Sequence, residues 1–261
     1  MIPFTPLRSR RLDLTFRELS FDDEMALCFH PEAAHESSLT DFLARAIKHA
    51  NPATDTHVTD PRAMTVSERL LALAHYNLHI RDDAPNYAVT EAASLFDFLD
   101  ASRENVRVPT FVAAGESWTI TPLIGAAAEA IEVLQNEVQG ERAGFRHWML
   151  GMMAAQLLRA GEMPGQPGSA AAPDPVTASS EYIDWLRSRM AVLNNLPSSA
   201  LNEMFAHFRT LAPESSDFFR IWFDDKGVIV LPKEAGAAFA PARFLILSAV
   251  SQLAIELAGK A

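Results

Sequence analysis

The stretch Met64–Ile80 constrains the fold more than any other part of this chain. Thr65 can accept a hydrogen bond from a first-turn amide, while Glu68, three residues on, reaches back to the Thr65 amide; that reciprocal pair fixes a helix start. Val66, Leu70, Leu73 and Ala74 then recur at helical spacing, and Leu71 and Leu78 widen the stripe. One face of a helix over 65–80 must therefore be covered by other parts of the chain. With 261 residues, 49% of them hydrophobic and 21% charged, the chain has the apolar material to do so.

Around this element the pattern alternates between short strands and amphipathic helices. Leu12, Leu14 and Phe16 alternate with polar neighbours, which predicts a strand. Ser20 and the carboxylates Asp22, Asp23 and Glu24 predict a short helix over 23–29, stopped before Pro31. Ser38 and Asp41 open a further helix carrying Leu39, Phe42, Leu43, Ala46 and Ile47. Glu91–Asp100 reads as a short helix or edge element. Val106–Val112 and Trp118–Ile120 flank a Gly115 turn and predict a hairpin. Thr121-Pro122 reads as a cap and first helical residue for a helix through Leu123, Ala127, Ile131, Leu134 and Val138, and Phe145–Ala160 as another. Beyond residue 178, Tyr182, Trp185, Leu186, Leu193 and Leu196 give one helical stripe, and Leu201, Met204, Phe205, Phe208 and Leu211 a second. Phe219–Phe223 and Val228–Leu231, separated by a turn with Gly227, predict the strongest hairpin. Pro241 is expected to start a final helix, apolar nearly all round through Phe244, Leu245, Ile246, Leu247, Val250, Leu253 and Ile255. The fold class is mainly α with small β-hairpins (α+β), its helical lobes joined by a Pro/Gly linker. Three segments follow: an N-terminal α+β domain at 1–161 with its central helix at 65–80, a Pro/Gly/Ala linker at 162–178, and a C-terminal helical hairpin, β-hairpin and terminal helix at 179–261.

Charge and cysteine content exclude several function classes. A net charge of −11 argues against a phosphate-backbone partner, and the basic group Arg8, Arg10, Arg11 reads as a solvated segment, so no nucleic acid is expected. The lone Cys28 cannot form an internal disulfide, and no export signal precedes it, which makes the cytoplasm the expected location. The run Phe244–Ala258 is broken by Ser248, Ser251, Gln252 and Glu256, so no membrane span is expected.

The candidates for chemistry are sparse. Cys28, His30, His35 and His49 are metal-capable and close in sequence, but they match no known knuckle spacing. His75 and His79 lie four apart on the central helix, the ligand spacing of helical zinc sites, yet Tyr76 stands where zinc proteases carry a glutamate. Gly115-Glu116-Ser117-Trp118-Thr119 is an incomplete nucleophile elbow. Asp22-Asp23, Asp82-Asp83 and Asp224-Asp225 fall at helix starts or turns, where backbone hydrogen bonding accounts for them. No catalytic, cofactor or metal residue is assigned. Met149, Met152 and Met153, with Trp222 and Phe244, are the candidates for a partner-contact surface, since methionine adapts to irregular neighbours.

The order of Met64-Thr65-Val66-Ser67-Glu68-Arg69-Leu70-Leu71-Ala72-Leu73, Trp118-Thr119-Ile120-Thr121-Pro122-Leu123 and Arg189-Met190-Ala191-Val192-Leu193-Asn194-Asn195-Leu196-Pro197 resembles the baseplate-hub and tail-assembly proteins of contractile-tailed bacteriophages, of the T-even base-plate type. The resemblance runs from Met64 to Phe208. Some members carry paired cysteines of a metal knuckle, which Cys28 alone cannot supply, so the resemblance implies no metal site here. It implies a structural or assembly protein of a contractile-tail baseplate, a virion-assembly part without catalysis. Such a protein would be made in the host cytoplasm, would have other tail or baseplate proteins as partners, and would need no cofactor. Self-association into a homo-oligomer stays open. Two rival readings also stay open: a metal-dependent enzyme using His75/His79 or Cys28/His30/His35, and a ligand-binding helical regulator with a pocket near Trp148 and Trp185.

Overall fold

The structure, a computed structural model, describes residues 2–54, 56–104, 107–138, 140, 143–159, 162 and 171–259. The central helix forms as the sequence predicts. Helix α3 (Val66–Ile80) follows α1 (Phe21–Cys28) and α2 (His35–Ala46), and it starts at the Thr65/Glu68 capping box. Its stripe is buried: Val66, Leu70, Leu73 and Ala74 are each at most 2% exposed. Helices α4 (Gly125–Gln135), α5 (Phe145–Gln156), α6 (Ser179–Asn194), α7 (Ser198–Leu211) and α8 (Gln252–Leu257) complete the helical set among the described residues.

Small antiparallel sheets fill the gaps between helices. Strands β1 (Leu7–Arg8), β2 (Asp13–Phe16) and β3 (Ile47–Ala50) form one sheet, in that order. A second orders β4 (Thr110–Ala113), β5 (Glu116–Ile120) and β6 (Leu157–Arg159). The third is the hairpin β7 (Arg220–Phe223) and β8 (Val228–Leu231), registered Trp222 to Ile229 and Phe223 to Val228. Its turn holds Gly227 at φ +133°, which L side chains rarely adopt. The architecture is mainly α with small β-sheets, an α+β fold. No helix among the described residues is long and apolar enough to cross a membrane.

Several boundaries differ from the sequence pattern, most of them for a non-local reason. Helix α1 begins at Phe21, because Ser20 and Asp23 form a capping box of their own. Helix α2 begins at His35 rather than Ser38 and stops at Ala46. Ile47 leaves it to pair with Phe16 in the first sheet. The expected helix 145–160 likewise ends at Gln156, since Leu157 and Arg159 pair with Ile120 and Trp118. Thr121-Pro122 does not start α4. Backbone there is spent on other partners: the Thr121 amide donates to Gln156, the Val66 amide to Leu123 and the Gly125 amide to Met64. Glu91–Asp100 holds a single 3-10 turn at Leu95–Asp97. The continuous helix expected from Pro241 is absent among the described residues. Ala242 bridges to Val230, Ile246–Ala249 forms a 3-10 turn, and only from Ser251, which accepts the Ala254 amide, does the short α8 run.

The core crosses the 162–178 stretch. One cluster of buried side chains extends from Leu7 to Ala254, α6 packs on α4 and α5, and the first and last helices meet. Residues 163–170 of the expected linker lie outside the described residues. On either side, Glu162 is held by Arg189 at 2.7 Å, and the Arg62 guanidinium reaches the Ser179 hydroxyl at 2.9 Å.

Candidate functional site

Three groups of side chains are the candidates for a site. The first is aromatic and partly open. Phe145 sits on the first turn of α5, 45% exposed, with its ring 5.1 Å from Phe223 and 6.4 Å from Phe205 of α7. Trp222 projects from the outer face of β7, its ring 6.3 Å from Phe205 and 4.4 Å from Phe223. Strand alternation produces this: Ile221 and Phe223 point into the core, so Trp222 between them faces outward. Met149 lies one turn on from Phe145, on the same α5 face and half-buried. Phe145, Met149, Phe205 and Trp222 thus form a shelf whose inner edge is core and whose outer edge meets solvent.

Of the five expected contact residues, Met149 and Trp222 belong to this shelf. Met152, Met153 and Phe244 do not, because they are 1%, 0% and 5% exposed and pack within the core. Helix periodicity does not separate the three, since Met152 and Met153 follow Met149 at i+3 and i+4; the core encloses the second half of α5 and leaves its first turns half-open. Phe145 and Phe205 carry no signal of their own in the sequence, since one opens a helix and the other is one more member of an apolar stripe.

The second group is ionic, with Arg69, Glu36 and Glu132 buried at its centre and Glu129 and Arg62 half-buried at its edge. Arg69, 0% exposed, leaves α3 and donates to the Glu36 carboxylate (3.1 Å), the Glu36 carbonyl (2.5 Å) and the Thr40 hydroxyl (2.9 Å). It lies directly against Gly125, where a Cβ would come within 2.5 Å of its Nη1, so only glycine lets α4 approach. From α4, Glu132 accepts the amides of Glu36 (2.8 Å) and Ser37 (3.1 Å), capping α2 in place of the side chain that Ala34 cannot offer. Glu129 adds a third carboxylate, paired with Arg62 at 2.9 Å and bonded to Thr40. Three carboxylates thus face two guanidiniums. Burial, with Glu132 and Glu129 adding to it against the opposing pull of Arg69, pushes Glu36 up to about 7. This cluster locks α2, α3 and α4 together. No spacing rule could have found it, since its members stand up to 96 residues apart.

The third group holds the expected metal ligands. His75 donates from Nε2 to the Thr5 carbonyl at 2.7 Å. His79 donates from Nδ1 to the His75 carbonyl at 2.9 Å, so its Nε2 is free to accept the Thr5 amide at 3.0 Å. The two imidazoles therefore fasten the N-terminal segment to α3. Cys28, His30 and His35 line one cavity of 390 Å3, while His49 is on β3. His30 pairs with Asp41 at 2.9 Å; burial opposes ionisation of that carboxyl, yet bonds from His30 and Arg45 hold it below its usual range. Among the described residues, no three metal-capable side chains converge on one point. Ser117 is on β5, exposed, opposite Val112. Trp148 is buried with Nε1 donating to Gln135, whereas Trp185 lines a separate 390 Å3 cavity beside Tyr182 and Pro122.

The chain matches no known family, no curated protein and no solved structure. The site must therefore be judged on its own chemistry. The shelf offers aromatic area without a reacting group; the centre of the ionic cluster is buried and its groups bond one another; the imidazoles of α3 bond backbone.

Proposed function

We propose that this protein is a structural or assembly component of a contractile-tail baseplate, acting by association with other tail proteins and not by catalysis. The observation that carries the reading is the aromatic shelf in which Phe205 joins Phe145 and Trp222, with Met149 one helical turn from Phe145, residue types that anchor protein interfaces. Further support comes from exposed apolar side chains on the paired first and last helices: Phe21 on α1, Phe29 just past its end, and Leu253 and Leu257 on α8. The net charge of −11 keeps such a surface soluble before assembly. The resemblance over Met64–Phe208 supplies the class of partner.

The test mixes the purified chain with the other baseplate proteins of the same tail and follows the mixture by sizing chromatography with light scattering. Stoichiometric complexes are expected with the unaltered chain. Phe145→Glu, changed at an exposed position, should weaken them more than about tenfold, the scale of an interface anchor, with an unaltered circular dichroism spectrum. A monomer in every combination refutes the proposal, as does a Phe145→Glu variant that binds as well as the parent.

A further inference from the structure

The cavity beside Cys28, His30 and His35 has a lining of two characters. It lies between the end of α1, the start of α2, the β7–β8 turn and the 243–247 segment. Leu27, Leu245, Ile246 and Leu247 form an apolar wall, and His30, His35, Lys226 and Arg243 supply the polar side. At 390 Å3 it is of the size that holds a small organic molecule rather than a bare ion.

The polar side carries two cations whose donors are partly unspent. Arg243 donates Nη1 to the Val228 carbonyl at 2.7 Å and Nη2 to Asp224 at 2.6 Å, which fixes the guanidinium while leaving other donors of its fork free. Gly227 makes this placement possible, since a Cβ there would lie 3.1 Å from Arg243 Nη1. Lys226, exposed at the same turn, has no carboxylate partner among the described residues. His35 opens α2 and lines the cavity with no hydrogen-bond partner for its ring among the described residues. Burial, with the Arg243 and Arg69 cations adding to it, lowers His35 to about 3, so the ring is neutral and offers one N–H. Glu32 is the carboxylate on this lining, and it stands exposed.

We propose that this cavity binds a small organic anion, its apolar body against Leu245–Leu247 and its carboxylate or phosphate facing Arg243, Lys226 and His35. A carboxylate or phosphate would accept from the fixed guanidinium, the ammonium and the imidazole N–H together, which water alone does less well. The site is separate from the aromatic shelf and does not depend on the association reading.

The test uses the full chain and four probes: benzoate, phenyl phosphate, inorganic phosphate and neutral benzyl alcohol. Binding is followed by calorimetry and by the side-chain nitrogen signals of His35. Benzoate or phenyl phosphate should bind and shift the His35 signals; whichever binds tighter separates a carboxylate from a phosphate preference. Inorganic phosphate should bind more weakly for want of a body, and benzyl alcohol at least about tenfold more weakly than benzoate for want of a charge. Lys226→Met, at an exposed position, should weaken the anion about tenfold and Arg243→Met should abolish binding, while Lys233→Met should change nothing. Should Arg243→Met fail to fold, Lys226→Met alone decides. Failure of both organic anions to bind, benzyl alcohol binding as well as benzoate, or full affinity in Lys226→Met would each overturn the proposal.

Discussion

Replacing Arg69 with Met is the most informative single perturbation, because it removes the only guanidinium that touches Glu36 among the described residues. Arg69 makes an ion pair and two further hydrogen bonds, and hydrogen bonds to charged groups contribute about 1.5–3 kcal/mol each. Against that, its Nε is buried without a partner, a burden the methionine removes, and the methionine stem retains part of the packing. Breaking a buried pair from one side costs about 3–5 kcal/mol in general, and the balance here falls at about 3. For a chain of this size that lowers the midpoint of thermal unfolding by roughly 10 °C. The cost should also depend on pH. Near pH 8 the native Glu36 is ionised and paired, so losing Arg69 strands a charge or forces proton uptake. Near pH 5, below the value of about 7 that burial gives it, Glu36 already carries a proton and less is lost. Urea titrations followed by circular dichroism at both pH values, with Glu36→Gln and the double variant, measure this. The double variant should be more stable than the sum of the single costs predicts. A cost below about 1 kcal/mol at pH 8, or a larger cost at pH 5 than at pH 8, refutes the account of the cluster.

Three further outcomes follow from the same structure. Glu132→Gln presents an amide donor to the first-turn amides of α2, so chemical denaturation should report a loss of about 1 kcal/mol, comparable to losing a cap. Gly227→Ala forces a Cβ to 3.1 Å from Arg243 and 3.2 Å from Trp148 at φ +133°, which should cost about 1–3 kcal/mol and blunt the near-ultraviolet signal of Trp148. His35 is lowered by burial to about 3, so the unfolded chain binds a proton that the folded chain refuses: stability from this group is complete above about 6.5 and falls as the pH drops. His35→Leu should accordingly shrink the stability difference between pH 7.5 and 5.5 by about 1 kcal/mol, and an unchanged difference would show that His35 does not stay neutral.

How much of this was legible follows the range of the interactions. The Thr65/Glu68 box, the Ser20 cap and the Gly227 hairpin are local, so their residues stand within a few positions of one another and the sequence announces them. Strands β3 and β6 are not announced. Ile47 and Leu157 continue a helical stripe without interruption, and only pairing with Phe16 and Ile120 draws them out of it. Residues 241–255 fail as a helix for the complementary reason: an apolar run specifies burial, not geometry, and a β-bridge to Val230 takes the backbone first. Of the candidate surface, alternation around Trp222 was readable, but its meeting with Phe145 and Phe205 depends on α5, α7 and β7 coming together.

The same logic bears on how a chain with so large a negative charge holds two buried carboxylates and a half-buried third at one junction. Among the described residues, Arg69 is the buried cation, standing at the α2–α3–α4 junction, while the half-buried Arg189 pairs with Glu162 beside β6. The α2–α3–α4 junction is thereby fixed by a charge pair of defined direction, which apolar contacts alone would leave free to slide. Glu36, Glu129 and Glu132 outnumber their two arginines, so the α2–α3–α4 junction holds together with a proton in the place of a third cation. That proton is lost as the pH rises through about 7. The α2–α4 crossing should loosen there first, and the amides of Glu36 and Ser37, capped across that crossing by Glu132, should be the first helical amides to gain in exchange.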